Sequence, residues 1–191
     1  MYLICFLLYG EEMKFNEVGL MHKEDSRIQK AYELGVRYES ENRGCCQCTL
    51  GALQDTFGKR DDAVFKASTG LATGTGLIGS AGCGGYSGGT IFVGQFIGRG
   101  RENFKESSSS TGIFQIIKEF HDRFIKEYRS VICSDIQKKV FGRSFNLLNK
   151  DEKILFEKMG GHRDKCPIVV GKAAAWMAEI ILKHPELFYI Y

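Results

Sequence analysis

The sequence predicts an all-α fold: one compact multi-helix domain in which a glycine-rich loop leads into a buried helix. Three observations predict it. Apolar residues recur every three to four positions along most of the chain, which is the spacing of an amphipathic helix. No run alternates apolar and polar residues as a half-buried strand would. Glycine, with 23 residues against only 2 prolines, is massed between positions 70 and 89 rather than shared among many turns. A length of 191 residues with 43% hydrophobic and 26% charged content suits a single globular core. The net charge of +3 falls short of the basic face of a nucleic-acid binder. No apolar run approaches the roughly 20 residues of a membrane span, and no repeat of roughly 20 to 50 residues is visible. Residues 1–25 read as an N-terminal extension, 26–185 as the domain and 186–191 as a C-terminal tail.

The elements follow in order. Residues 2–9 are apolar, but no basic stretch precedes them and no small-residue cleavage site follows. They read as a short extra strand or helix, or as chain upstream of a start at Met13, rather than as a secretory signal. Residues 26–40 carry Ile28, Tyr32 and Val36 at helical spacing, with Leu34 and Tyr38 alongside and Ser26 as N-cap. Asn42 to Gly44 breaks this helix. Residues 45–57 form a second one, with Cys48, Leu50, Ala52, Leu53 and Phe57 as buried positions and Gly58 as its stop. Asp61 and Asp62 open a short helix that runs to Ala67. The first half of the glycine run is a loop with unusual backbone angles. Cys83 to Ile97 is a buried helix whose apolar part is Ile91, Phe92, Val93, Phe96 and Ile97. Residues 99–110 are a polar surface loop. Thr111 to Ile132 is a long amphipathic helix presenting Ile113, Phe114, Ile117, Phe120, Phe124, Tyr128 and Val131. A short helix from Cys133 includes Ile136 and Val140 and closes at Gly142. Another spans Asp151 to Met159 and stops at Gly160-Gly161. Cys166 to Lys183 is the last helix, with Pro167 in its first turn and Val169, Val170, Ala173, Ala174, Trp176, Met177, Ile180 and Ile181 facing the core.

The chemistry points to cysteine. Seven are present, at 5, 45, 46, 48, 83, 133 and 166, an odd number that cannot all pair internally. A reducing, cytoplasmic setting keeps such thiols free, for structure, metal binding or redox work. No pair of CxxC knuckles exists, so spacing alone defines no metal site. Cys83 and Cys166 each fall at a helix start, where free N–H groups and the dipole favour a thiolate. Gly82, Gly84, Gly85 and Gly88 would let backbone N–H groups approach a sulfur or a cluster closely. Several thiolates gathered this way hold an iron–sulfur centre or zinc. The plain alternative is that each cysteine is a small buried hydrophobe. His162, four residues before Cys166, is either a ligand or a solvated loop residue. Gly84/Gly88 and Gly85/Gly89 form two small-x-x-x-small pairs, suited to close helix packing in a soluble core. The glycine run lacks the Lys-Ser/Thr of a P-loop. No Ser-His-Asp or paired-carboxylate arrangement stands out, so no enzyme class follows. Phe188, Tyr189 and Tyr191 read either as a docked tail or as a partner or homodimer contact.

From about Ala31 to Leu182 the sequence resembles the family of redox-active proteins named for the pattern C…GCAxxG…C…C. The first family cysteine corresponds to Cys48, in CTLGALQDTFG. The central Cys-Gly-Ala-x-x-Gly corresponds to Cys83 through Gly88, with Gly85 where the family usually has alanine. The third cysteine is Cys133, in CSDIQKKVFGR, and the fourth is Cys166, in CPIVVGKAAAWMAEIIL. Cys45 and Cys46 lie outside the four and leave the first ligand ambiguous. The resemblance implies a helical domain with four cysteines converging on one redox or metal site. The family is similar to the N-terminal part of split-Soret cytochromes, where an iron–sulfur centre has been proposed. No C-x-x-C-H haem-attachment motif is present, so no covalent haem is expected.

The expectation is therefore a [2Fe–2S] cluster held by Cys48, Cys83, Cys133 and Cys166. Backbone groups of Gly82, Gly84, Gly85 and Gly88 would surround it, and a redox partner protein or oxidoreductase would exchange electrons with it. Two alternatives stand beside it. One is thiol–disulfide chemistry without metal, with Cys83 as the attacking thiolate. The other is a helical binding module with structural zinc.

Overall fold

In a computed structural model of the chain, residues 25–105 and 111–188 are described, and every regular element among them is helical. The predicted sheet-free fold is what the structure shows. One isolated bridge, Gly82 to Ile132, is the nearest approach to β-pairing among the described residues. No described helix is long and apolar enough to cross a membrane. The apolar run at 2–9 and the start at Met13 lie outside the described residues, as do Tyr189 and Tyr191.

Helix α1 spans Ser26–Asn42. Its N-cap is Asp25 rather than Ser26. The Asp25 carboxylate accepts the Arg27 N–H at 2.9 Å and pairs with the Arg27 guanidinium, satisfying a donor that the helix start leaves free. The buried line of α1 is Ala31, Gly35 and Glu39. The large apolar residues expected on its face are the half-buried flanks of that line. The reason is a close crossing. Helix α8, Cys166–Lys183, lies so near that a Cβ on Gly35 would stand 3.0 Å from the Gly171 Cα.

Helix α2, Cys45–Phe57, is buried on nearly every side, and α1, α8 and α4 (Gly84–Ile97) pack around it. The two glycine pairs of α4 serve two faces. A Cβ at Gly84 would overlap the Cys45 sulfur and stand 2.7 Å from the Cys46 nitrogen, and one at Gly88 would stand 2.8 Å from Thr49 Cβ. On the other face a Cβ at Gly89 would meet the Phe120 ring at 2.7 Å, and one at Gly85 would meet Ala173 Cβ at 3.1 Å. The backbone of α4 thus lies directly on its neighbours, as the small-residue spacing predicts.

The short helix α3, Asp62–Ala67, is capped by Asp61. Helix α5 spans Thr111–Tyr128 and packs through Ile116, Phe120, Phe124 and Tyr128. Phe114, expected on that face, is exposed. α5 also ends four residues short of the expected Ile132. Arg129 turns left-handed, at φ 63°, and the extended residues after it tie down the glycine loop. The Cys83 N–H donates to Val131 O at 2.8 Å, and the Cys133 N–H to Ala81 O at 3.0 Å. Helices α6 (Cys133–Phe141) and α7 (Lys150–Lys158) follow, and a π-helical turn, Gly161–Lys165, leads into α8. A final turn, α9 (Pro185–Phe188), buries Phe188 against Phe96.

The loop before α4 has an unusual hand. Thr73, Gly74, Thr75, Gly76 and Leu77 all have positive φ, from 48° to 66°. Each non-glycine residue there carries roughly 1–2 kcal/mol of steric cost. The Gly79 N–H bonds to Thr73 O at 2.8 Å, the Ala81 N–H to Gly74 O at 3.1 Å, and the Leu147 N–H to Leu77 O at 3.0 Å, which holds the turn.

Candidate redox centre

Four elements deliver a cysteine to one place by the same device, a helix start. Cys45 is the first residue of α2, Cys83 caps α4, Cys133 opens α6 and Cys166 opens α8. All four line a single cavity of about 30 Å³, with Thr73, Glu39 and His162 beside them and Phe141, Phe156, Val169 and Val170 as apolar wall. None of the six described cysteines is in a disulfide. The volume is that of about one or two water molecules. Among the described residues no three His, Cys, Asp or Glu side chains are grouped so as to hold a metal ion. The four thiols surround the space without meeting at a point within it.

Three of the four cysteines expected from sequence, Cys83, Cys133 and Cys166, thus share the cavity. Cys48 does not line it. Its thiol donates to Arg43 O at 3.0 Å, and it faces a separate surface cleft of about 520 Å³ with Tyr38, Arg43, Asp55 and Arg60. Cys45 stands in its place. Cys46 points elsewhere in the core, near the Ser68 hydroxyl, and burial pushes its thiol up to about 12. The backbone segment 82–88 is used in two ways. Gly84 and Gly88 give α4 its close approach to α2. The N–H groups of Gly85 and Tyr86 lie beside the Cys83 sulfur in the first turn of α4 and favour its charged form, although Cys83 makes no side-chain cap hydrogen bond.

The electrostatics are dominated by burial. It raises the Cys83 thiol to about 11, although the two backbone N–H groups at the start of α4 oppose the rise. Cys45, Cys133 and Cys166 are pushed up by burial first; the Glu39 charge comes next for Cys45 and Cys166, and the Cys83 thiol comes next for Cys133. For Cys45 the Thr73 N–H, 3.3 Å from the sulfur, works the other way. The left-handed turn places that donor.

Glu39, which no motif marks in the sequence, also lines the cavity. It is 2% exposed, and its Oε2 has no hydrogen-bond partner. Burial raises its carboxyl to about 7. A signal existed in the line of two small residues and one acid, Ala31, Gly35 and Glu39, at four-residue spacing. His162 is also drawn in. Its Nδ1 lies 2.9 Å from Glu157 Oε1 and its Nε2 lies 3.8 Å from Glu39 Oε1. Burial lowers the ring's basicity, and Glu157 partly restores it.

Residues 44–180 match the family C_GCAxxG_C_C, described as "putative redox-active protein". The chain belongs to the C_GCAxxG_C_C family. The matched stretch opens just before Cys45 and includes Cys83, Cys133 and Cys166, so every cysteine of the cavity lies in the family region. No curated protein and no solved structure matches the chain. Membership in the C_GCAxxG_C_C family thus joins a redox description to a cavity lined by cysteine.

Proposed function

We propose that this C_GCAxxG_C_C protein is an electron carrier or accessory redox subunit whose centre is an iron–sulfur cluster held by Cys45, Cys83, Cys133 and Cys166. The observation that carries the reading is the cavity itself: four thiols from four helix starts, inside an apolar wall. Soft thiolate donors of this number suit iron–sulfur binding. When bound, such a group supplies one-electron storage in a water-poor setting. The chain's part is to provide the four sulfurs, to keep solvent out and to aim N–H donors at sulfur. The donor is Thr73 toward Cys45, and the N–H groups of Gly85 and Tyr86 lie beside Cys83. N–H bonds to sulfur raise a cluster's potential by stabilising negative charge.

Burial weighs against thiol exchange without metal. That chemistry needs an accessible thiolate of lowered pKa, and here every cavity thiol is shifted upward. A lone zinc ion would need its ligands already close to one point, and among the described residues no such group stands ready. Cys45 replaces Cys48 as the first ligand in this reading.

The test is loading with iron and sulfide without oxygen, followed by iron and acid-labile sulfide analysis and a visible spectrum. Alanine at Cys45, Cys83, Cys133 or Cys166 is expected to abolish the charge-transfer bands, and alanine at Cys46 or Cys48 to leave them. A wild-type chain that takes up neither iron nor sulfide overturns the reading. Bands that survive Cys45→Ala but vanish in Cys48→Ala overturn the reassignment of the first ligand.

A further inference from the structure

We propose that the outer face of α7 is the docking surface for an acidic redox carrier protein, which it holds by three lysines around exposed aliphatic side chains. The inference rests on the redox reading above and names the partner of that centre.

The first observation is the helix itself. Phe156 is its one buried residue. Ile154 is 53% exposed and Leu155 36%, and Leu148, just before the helix, is 61% exposed. Single aliphatic side chains scattered over a surface need no explanation. Three between 148 and 155 form a local apolar face that gains by being covered.

The second observation is the charge around that face. Lys150, Ile154 and Lys158 stand four residues apart and so form one row along the helix, with Lys153 on its flank. All three lysines are exposed, and none has an ion-pair partner among the described residues. The half-buried acids of α7 are engaged elsewhere, Glu152 with Arg143 and Glu157 with His162 and Arg43. Asp151 is the one exposed acid of the helix, and it lies in the first turn, where the helix dipole offsets it. An apolar centre with a cationic rim is the build of a protein interface, and the partner that complements it is acidic. The stripe is too short, and too apolar at its middle, to track a nucleic-acid backbone.

The third observation is position. Phe156 lines the thiol cavity and also belongs to the small cluster with Phe145 and Leu147, against which Cys166 packs. Cys166 is the one cavity cysteine that is only half-buried. The cluster under α7 thus adjoins the cavity thiol nearest to solvent. Electron transfer slows steeply with distance, so a carrier seated on α7 is well placed. The step moves one electron from the reduced centre to the oxidised carrier and makes or breaks no bond.

The experiment uses an acidic flavodoxin as the probe and the full chain after loading with iron and sulfide. A carbodiimide joins lysine amines to carboxylates in contact with them, and mass spectrometry locates the links. Links are expected at Lys150, Lys153 and Lys158, and a basic cytochrome c, as the charge control, is expected to give none there. The affinity for flavodoxin is expected to fall at least about tenfold in the double variant Lys150→Glu, Lys158→Glu, and to fall with added salt in the wild type. Ile154→Ser is expected to weaken binding with the salt dependence kept. These positions are exposed, so melting of the variants should match the wild type. Links centred on another face, no binding of flavodoxin, or wild-type affinity in the charge-reversed chain overturns the proposal and leaves the thiol centre standing. A chain that takes up no iron or sulfide overturns the iron–sulfur reading, while the links and the charge-reversed chain still decide the docking surface.

Discussion

Glu39 makes the metal-free chain pH-sensitive. Burial holds its carboxyl protonated up to about pH 7, whereas an unfolded glutamate ionises near 4.5. Between those values the folded state binds the extra proton, so stability falls as pH rises through the window. His162 works in the opposite sense. Its folded-state basicity is lowered from 6.5, so its contribution is present above that value and is lost as pH falls. The difference between wild type and Glu39→Gln isolates the acid. Urea unfolding of the metal-free chain at about pH 5 and pH 8 should show the wild type losing a few kcal/mol more than the variant on going to the higher pH. Equal losses in both would remove Glu39 as the cause. This residue was hard to read from sequence for a physical reason. A glutamate in a helix next to serine and another glutamate has the pattern of a solvated face. Only the crossing of α1 over α8 at Gly35 and Gly171 turns that face inward. Which of Cys45 and Cys48 faces the cavity was open for a similar reason. Cys45 and Cys48 are three residues apart on α2, so both turn toward one side of it. The register of α2 against α4 brings Cys45 to the cavity and leaves Cys48 at the outer cleft.

The packing of α4 on α2 gives a graded series of expected outcomes. Alanine at Gly84 would put a Cβ into the Cys45 sulfur and the Cys46 backbone, and alanine at Gly88 would press on Thr49 Cβ and the Cys46 carbonyl. Each is expected to cost about 1–3 kcal/mol or more, as overpacking does, and to lower iron uptake by pushing α2 and Cys45 away. Gly85→Ala is expected to stay within about 1 kcal/mol of wild type. It gains about 1 kcal/mol of helix propensity against one tight contact, 3.1 Å to Ala173 Cβ. Urea midpoints of the three variants check the order. Gly85→Ala falling below Gly84→Ala would contradict it. At this scale the sequence was informative. The helix over 45–57, the break at 42–44, the buried helix after Cys83 and the last helix from Cys166 all stand where periodicity and glycine placed them. The boundary that moved, the end of α5, moved because Val131 and Ile132 are extended to hold the glycine loop. Local apolar spacing carries no sign of such a non-local bond.

For the whole molecule, the cavity is lined from α1, α2, α4, α6 and α8, so the proposed centre would tie these helices together. A ligand that binds only the folded state stabilises it by mass action. Loaded protein is accordingly expected to melt well above the metal-free chain, and Cys83→Ala is expected to erase the difference. Equal melting temperatures for loaded and metal-free wild type would show that the centre does not bridge these helices. The all-α class was legible because each helix carries its own apolar spacing. The sharing of one cavity by Cys83, Cys133 and Cys166 was expected only from the family resemblance, since spacing along the chain carries no sign of it. The turn of opposite hand between Thr73 and Leu77 was legible only as a loop with unusual backbone angles. L-residues take up that hand at a steric cost, and the loop's own hydrogen bonds, Gly79 N–H to Thr73 O and Ala81 N–H to Gly74 O among them, offset it. Three further bonds come from far along the chain: Cys133 N–H to Ala81 O, Ser134 N–H to Gly79 O and Leu147 N–H to Leu77 O. Helices are local and can form early, whereas these bonds need a large loop to close first. In refolding followed by pulsed hydrogen exchange, the amides of Ser134 and Leu147 should gain protection after those of α2 and α8. The centre would then become competent in the last step, and the nascent chain would present its thiols singly until the fold is complete.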